Sequence, residues 1–191
     1  MVSEAEKRYA LLDERVPKGK KLLKEEAWGG LVKLYFTSHG PATIQDFTWW
    51  SGCSVANTKV ALESIKSKLH SEKIGEHTYY WMPDLKTSAK KLKTTFLLPA
   101  FDEYLISYKD RSAALEKGHT PKALSSNGIF YPIIVVNGKA IGTWKRTIKK
   151  DKVTISLAPF TFVSKAVLKE IHNSAQTYAD FIGKDLEAIT I

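Results

Sequence analysis

Residues 40–54 read Gly-Pro-Ala-Thr-Ile-Gln-Asp-Phe-Thr-Trp-Trp-Ser-Gly-Cys-Ser. Gly40-Pro41 stops one helix and Thr43 caps the next. Asp46, three residues on, completes a relative of the capping box and suits the positive end of the helix dipole. The spacing predicts a short helix over 44–50 that buries Ile44, Phe47 and one of Trp49 and Trp50. Ser51-Gly52-Cys53 is a turn, and Ser54 caps a third helix running to about residue 70. Upstream, Trp28, Leu31, Val32 and Tyr35 recur at helical spacing and give a helix over 25–38 one apolar face. The third helix carries Val55, Leu62, Ile65 and Leu69, with Ala61 beside them. Beyond it, 73–74 and 77–82 read as two short strands around Gly75-Glu76. Helix, helix, tight glycine turn, helix, hairpin is the order of a winged helix-turn-helix.

The second half has a different texture. Residues 96–108 are β-rich in composition, and strands are predicted over 129–136, 139–148 and 153–157. Asn137-Gly138 is a strong hairpin signal, because both central residues of a type I′ turn need positive φ. Lys150-Asp151 turns the chain again. A last helix over 162–182 buries Val167, Leu168, Ile171, Ala175, Tyr178 and Ile182. The expected fold is therefore α+β: a winged helix-turn-helix packed on a small antiparallel β-sheet or partial barrel, closed by a C-terminal helix. The divisions are a charged arm over 1–24, whose patch Tyr9-Ala10-Leu11-Leu12 docks on the body, a winged helix over 25–83, and a β-rich domain over 84–191.

Composition bounds the function. At about 100–200 residues per domain, 191 residues make one domain or two small ones in contact. Lys plus Arg is 29 against 20 Asp plus Glu, a net charge of +9. That excess points to a polyanionic partner, DNA before a membrane surface. One cysteine, Cys53, excludes a disulfide framework and a Cys-cluster zinc site, and fits a reducing cytoplasmic setting. No apolar run approaches a membrane span, and residues 1–10 have no signal core. The five histidines lack metal-ligand spacing, and no P-loop, GxGxxG or GxSxG occurs, so neither metal nor cofactor is expected.

Two surfaces are candidates for DNA contact. The third helix turns Ala56, Asn57, Val60, Ser64 and Ser67 outward, flanked by Lys59 and Lys66. Asn reads adenine and Lys holds phosphate. The other reading of this face is packing on a neighbouring domain. The second surface is Trp144-Lys145-Arg146 with Lys149, Lys150 and Lys152, where cations interleave with a ring. Its other reading is a solvated basic edge with Trp144 in the core. Alternation puts Trp144 and Arg146 on one face of the strand and Lys145 on the other. Burial favours a core Trp144, which leaves Lys145 as the phosphate contact. Asp102-Glu103 follows an apolar run, so strand alternation would half-bury one carboxylate and make Asp102 a general-base candidate. An internal ion pair among Lys109, Asp110 and Arg111 is the favoured alternative.

The wording of three blocks is specific. Residues 39–52, then Leu97-Leu98-Pro99-Ala100-Phe101-Asp102-Glu103-Tyr104-Leu105 with Tyr108-Lys109-Asp110-Arg111-Ser112, then Gly138, Gly142, Trp144, Lys145 and Arg146 resemble the bacterial winged-helix DNA-binding family that includes alkylpurine and interstrand-crosslink DNA glycosylases. The likeness runs from about residue 8 to residue 157. It implies tandem winged helices joined to a β-barrel-like domain, in chains longer than this one. The family's glycosylases carry a Gln–apolar–Gln or Gln–apolar–Asp element in their N-terminal part. Here Gln45 and Gln176 are the two glutamines, and neither begins such an element. The chain thus resembles the family's C-terminal half, with an N-terminal half missing or separately encoded. The expectation is a DNA-binding protein recognising duplex backbone or damaged DNA without catalysis of its own. The alternatives are a DNA glycosylase with Asp102 orienting water, and a winged-helix protein-interaction module.

Overall fold

The structure, a computed structural model, describes residues 10–83 and 94–191. Tyr9 of the N-terminal patch and the connector 84–93 lie outside the described residues. Among the described residues of the arm there is one short helix, α1 (Leu12–Arg15), with no buried residue. Leu11 and Leu12 are 69% and 71% exposed, so the described part of the patch does not dock on the body as expected. A single helical turn presents too little apolar surface to hold itself down.

Three helices follow: α2 (Lys24–Ser38), α3 (Ile44–Ser51) and α4 (Val55–Ile65). The capping box of α3 is complete. Thr43 Oγ1 accepts the Asp46 N–H at 3.1 Å, and Asp46 Oδ2 accepts the Thr43 N–H at 2.9 Å. Gly52 closes the helix in the left-handed region with φ of 69°. Phe47 is fully buried, Trp50 packs against the same core, and Trp49 is half exposed. In α4 the buried set is Thr58, Ala61, Leu62 and Ile65. Val55, expected in that set, is 50% exposed. Ser54 caps the helix, so Val55 falls in its first turn and Thr58 takes the inward place, donating its hydroxyl to the Ser54 carbonyl at 2.9 Å. The helix also ends sooner than expected. A 3₁₀ turn covers Lys66–Lys68, and β1 (His70–Ile74) then pairs antiparallel with β2 (His77–Trp81).

The second unit is a sheet of five strands in the order β3-β4-β5-β6-β7: Thr95–Leu98, Ile133–Val136, Lys139–Lys149, Lys152–Pro159 and Asp185–Thr190. Asn137 and Gly138 have φ of 49° and 79° and join β4 to β5 as a two-residue turn. The sheet is mixed rather than antiparallel throughout. The helix α7 (Lys165–Phe181) carries the chain back across one face, so β7 runs parallel to β6. Residues 96–108 are not an extended strand. Pairing stops at Leu98, Phe101 takes a φ of 57°, and Asp102 caps a short helix, α5 (Glu103–Ile106). A second short helix, α6 (Thr120–Ala123), lies in the loop before β4, which begins only at Ile133.

Each unit has its own core. Val32, Tyr35, Phe36, Phe47, Leu62 and Ile65 fill the helical one. The sheet has two, because successive residues of β4 face opposite sides. Ile134 joins Trp144, Val153, Ile155, Ile171 and Ala175 beneath α7. Ile133 and Val135 join Leu105, Leu115 and Phe130 on the other face.

Candidate functional site

Where the helical unit meets α5 and the loop after it, a cleft of about 580 Å³ opens. Its walls come from the chain around Gly40-Pro41, from His77 and Tyr79 of β2, and from Tyr104 and residues 108–114. Asp46 sits beneath it, 4% exposed. Its Oδ2 accepts the Thr43 N–H and, at 2.8 Å, the Thr43 hydroxyl. Its Oδ1 accepts the N–H groups of Lys109 at 2.9 Å and Asp110 at 3.3 Å. One carboxylate therefore caps α3 and bolts the distant loop to it. With both oxygens engaged, it is placed for structure rather than for activating water.

The tyrosines are bolts as well. Tyr35 donates to the Ser107 carbonyl at 2.8 Å, Tyr108 to that of His39 at 2.9 Å, and Tyr104 to that of Gly138 at 2.8 Å. Burial, with Asp46 adding to it, raises the Tyr35 phenol far above its ordinary range. The same causes push Tyr108 up to about 12, and burial raises Tyr104. All three remain neutral donors at pH 7. Glu103 accepts hydrogen bonds from Trp50 Nε1 at 3.2 Å and from the Ser107 hydroxyl. His39 Nε2 lies 3.7 Å from the same carboxylate.

Asp110 differs from Asp46, because it stands exposed at the wall of the cleft. The Ser112 N–H donates to its Oδ1 at 2.9 Å, and this bond lowers its pKa, with smaller help from Lys117 and His77. Asp110 is thus an ionised carboxylate facing solvent. Arg111 is not held in the expected ion pair. Its Nε and Nη1 donate to the carbonyls of Leu105 at 2.7 Å and Lys109 at 3.2 Å. Its guanidinium carbon lies 5.1 Å from the ring centroids of both Trp49 and Phe130.

The residues expected at the site are dispersed. Asp102 is the N-cap of α5, its Oδ1 accepting the Tyr104 N–H at 2.9 Å, and it does not line the cleft. Strand alternation does not apply to it, because the chain there is helical. Asn57 and Lys59 are exposed on α4. Lys66, beyond the end of that helix, is paired at 2.8 Å with Glu63, which raises its pKa. Trp144 is 3% exposed, donates its Nε1–H to the Leu98 carbonyl at 2.8 Å and meets Tyr178 edge-on at 5.2 Å. It is closed to any base. Arg146, on the same face, lies 5.9 Å over the Tyr178 ring, and Lys145 points to solvent. The residues that sequence reasoning missed are Asp46, Tyr104, Tyr108 and Asp110. For Asp46 the capping box was the available signal; the others carried none beyond their place in a specific block.

An α+β chain with helical and sheet units around a cleft, and an excess of basic residues, is the general class the geometry defines. The chain belongs to the AlkZ-like family, described as DNA glycosylase AlkZ-like, whose model matches residues 1–181. Among solved structures it is similar to the Streptomyces sahachiroi DNA glycosylase AlkZ, with a TM-score of 0.70 and 20% sequence identity. That match covers 89% of this chain and 47% of AlkZ, so the chain spans about half the length of that solved relative. No curated protein matches. Among the described residues, no helix is long and apolar enough to cross a membrane.

Proposed function

We propose that the chain acts in DNA repair as a DNA glycosylase, releasing a modified base from duplex DNA. The observation that carries this reading is membership of the AlkZ-like DNA glycosylase family over residues 1–181. It reverses the balance reached from the sequence, where binding without catalysis led. In this reading residues 25–83 form a winged helix whose α4 presents Asn57 and Lys59 to the duplex, while Lys145 holds backbone phosphate from the sheet side. The target nucleotide is extruded and enters the cleft.

The chemistry asked of the cleft is modest. The bond between C1′ and the base nitrogen breaks, the base leaves with the electron pair, and positive charge develops on the sugar. Water adds to C1′, and its proton passes to bulk solvent at the open cleft. Asp110 is the carboxylate suited to this step. It stands at the wall of the cleft, is ionised at neutral pH as an ordinary carboxylate is, and is placed to stabilise the cationic sugar electrostatically. Asp46 has both oxygens engaged, and Asp102 does not line the cleft.

The test incubates the pure chain with alkylated and unmodified duplexes and scores both gel mobility and alkali-labile breaks. The expected result is breaks in the alkylated duplex, with Asp110→Asn slowing them about a hundredfold at unchanged mobility shift. Retardation without breaks would favour the second reading, DNA binding without catalysis. That reading is supported by the buried carboxylate being fully engaged and by Gln45 and Gln176 beginning no Gln–apolar–Gln element. Neither retardation nor breaks would leave the protein-interaction alternative.

A further inference from the structure

Helix α2 has two apolar faces, and the described residues cover one of them. Val32, Tyr35 and Phe36 fill the helical core. On the opposite side Ala27, Gly30 and Leu34 of the helix follow the N-cap Leu23 at spacings of 4, 3 and 4 residues, the period of a helix–helix seam. All four are exposed, Leu23 by 75% and Leu34 by 68%. Gly30 has no atom within 4 Å of where a Cβ would stand, whereas Gly29 on the inner side has Ser64 Oγ at 3.1 Å. A glycine on an open helix face weakens the helix and gains nothing from its own chain. It does allow another helix to approach closely.

We infer that this stripe is an interface for a second copy of the same chain, with the two α2 helices crossing antiparallel. Charge selects that occupant. With Leu23 opposite the partner's Leu34 and Ala27 opposite the partner's Gly30, Glu26 on the flank of the seam faces the partner's Lys33. The two-fold axis repeats the pair on the other side. The face is complementary to itself, as a closed symmetric interface requires. Glu26 is half exposed and lies 3.7 Å from Lys20 of its own arm, a surface pair that a partner lysine can replace. Leu22 of the arm, 48% exposed, adds apolar surface beside the seam.

The test is sedimentation equilibrium on the full chain over a range of concentrations. The expected result is a reversible dimer. Leu34→Glu should return it to monomer with its circular dichroism and thermal unfolding otherwise intact, since Leu34 is not in the core. Glu26→Lys and Lys33→Glu should each weaken the dimer about tenfold at low salt. An equimolar mixture of those two variants should recover it, because each then meets the opposite charge on its partner. A chain that stays monomeric at every concentration overturns the inference, and leaves the stripe for a different polypeptide. A dimer indifferent to Leu34→Glu, or single charge variants whose mixture does not recover, overturns it equally.

Discussion

The helical unit over 24–82 and the sheet unit over 95–190 are held together by different forces than hold each of them internally. Inside, both rely on apolar packing: aromatic rings around Tyr35 and Phe47 in one, branched aliphatics under α7 in the other. Between them the contacts that stand out are hydrogen bonds. Asp46 takes two backbone donors from the loop after α5, Tyr35 and Tyr108 exchange bonds with opposite carbonyls, and Trp49 Nε1 donates to the Ile106 carbonyl at 2.9 Å. Hydrogen bonds are directional where apolar packing is not, so this joint sets the geometry of the cleft. The contrast teaches that damage in a core should melt a unit, while damage at the joint should deform the cleft first.

The largest effect is expected in the sheet core. Trp144→Ala removes a buried ring and its bond to the Leu98 carbonyl, and should cost about 3–5 kcal/mol in urea unfolding. A loss below about 1 kcal/mol would mean that the ring is not the keystone of its core. Asp46→Ala comes next. It strips the α3 cap and orphans the donors that converge on the carboxylate, at roughly 3 kcal/mol. Its mark should be loss of slow hydrogen exchange at the Lys109 and Asp110 amides while the sheet stays protected. Uniform loss across both units would break the contrast drawn above.

A smaller effect concerns pH. The folded pKa of Tyr108 is raised to about 12, above the ordinary value of 10.0. The unfolded chain therefore releases this proton first, and stability falls as pH rises from about 10 towards 12. Below about pH 10 the contribution is fully present. Tyr108→Phe should cost about 1 kcal/mol at neutral pH through the lost bond to the His39 carbonyl, and should flatten the alkaline fall. An alkaline titration of the variant that superimposes on the parent's would remove Tyr108 from the joint. The smallest stability effect is Lys145→Ala, within about 0.5 kcal/mol, because the side chain is exposed. Its effect should appear in DNA binding, where the slope of log affinity against log salt drops by about one. Unchanged binding would move the interface to Lys59 and Lys66.

The residues of these two regions were not equally legible. Thr43 with Asp46, and Asn137 with Gly138, announced a helix start and a hairpin because their partners lie within three residues. Strand β7 passed unseen. Its inward residues Leu186 and Ile189 are three apart, since the pairing with β6 shifts register after Leu186, and so they lack the alternation of a strand. Residues 96–108 read as β-rich throughout, although Phe101 and Asp102 break the strand, and Asp102 is a cap in a place where alternation made it a base.

The sequence by itself determined where the capped helices α3 and α4 start, where hairpins turn, that the chain carries a positive excess, and a likeness to a DNA glycosylase family. Those properties are local or additive, and each is settled by neighbours within a few residues or by a count. The tertiary structure alone decided that Asp46 is a bolt and Asp110 an exposed carboxylate at the cleft wall, and that the Trp144 ring is sealed under Tyr178. The reason is distance along the chain. The donors that engage Asp46 Oδ1 lie 63 and 64 residues away, and the carbonyl that receives Trp144 lies 46 away. A carboxylate's role depends on which donors and how much water surround it after the chain has assembled, and no pattern of near neighbours encodes that.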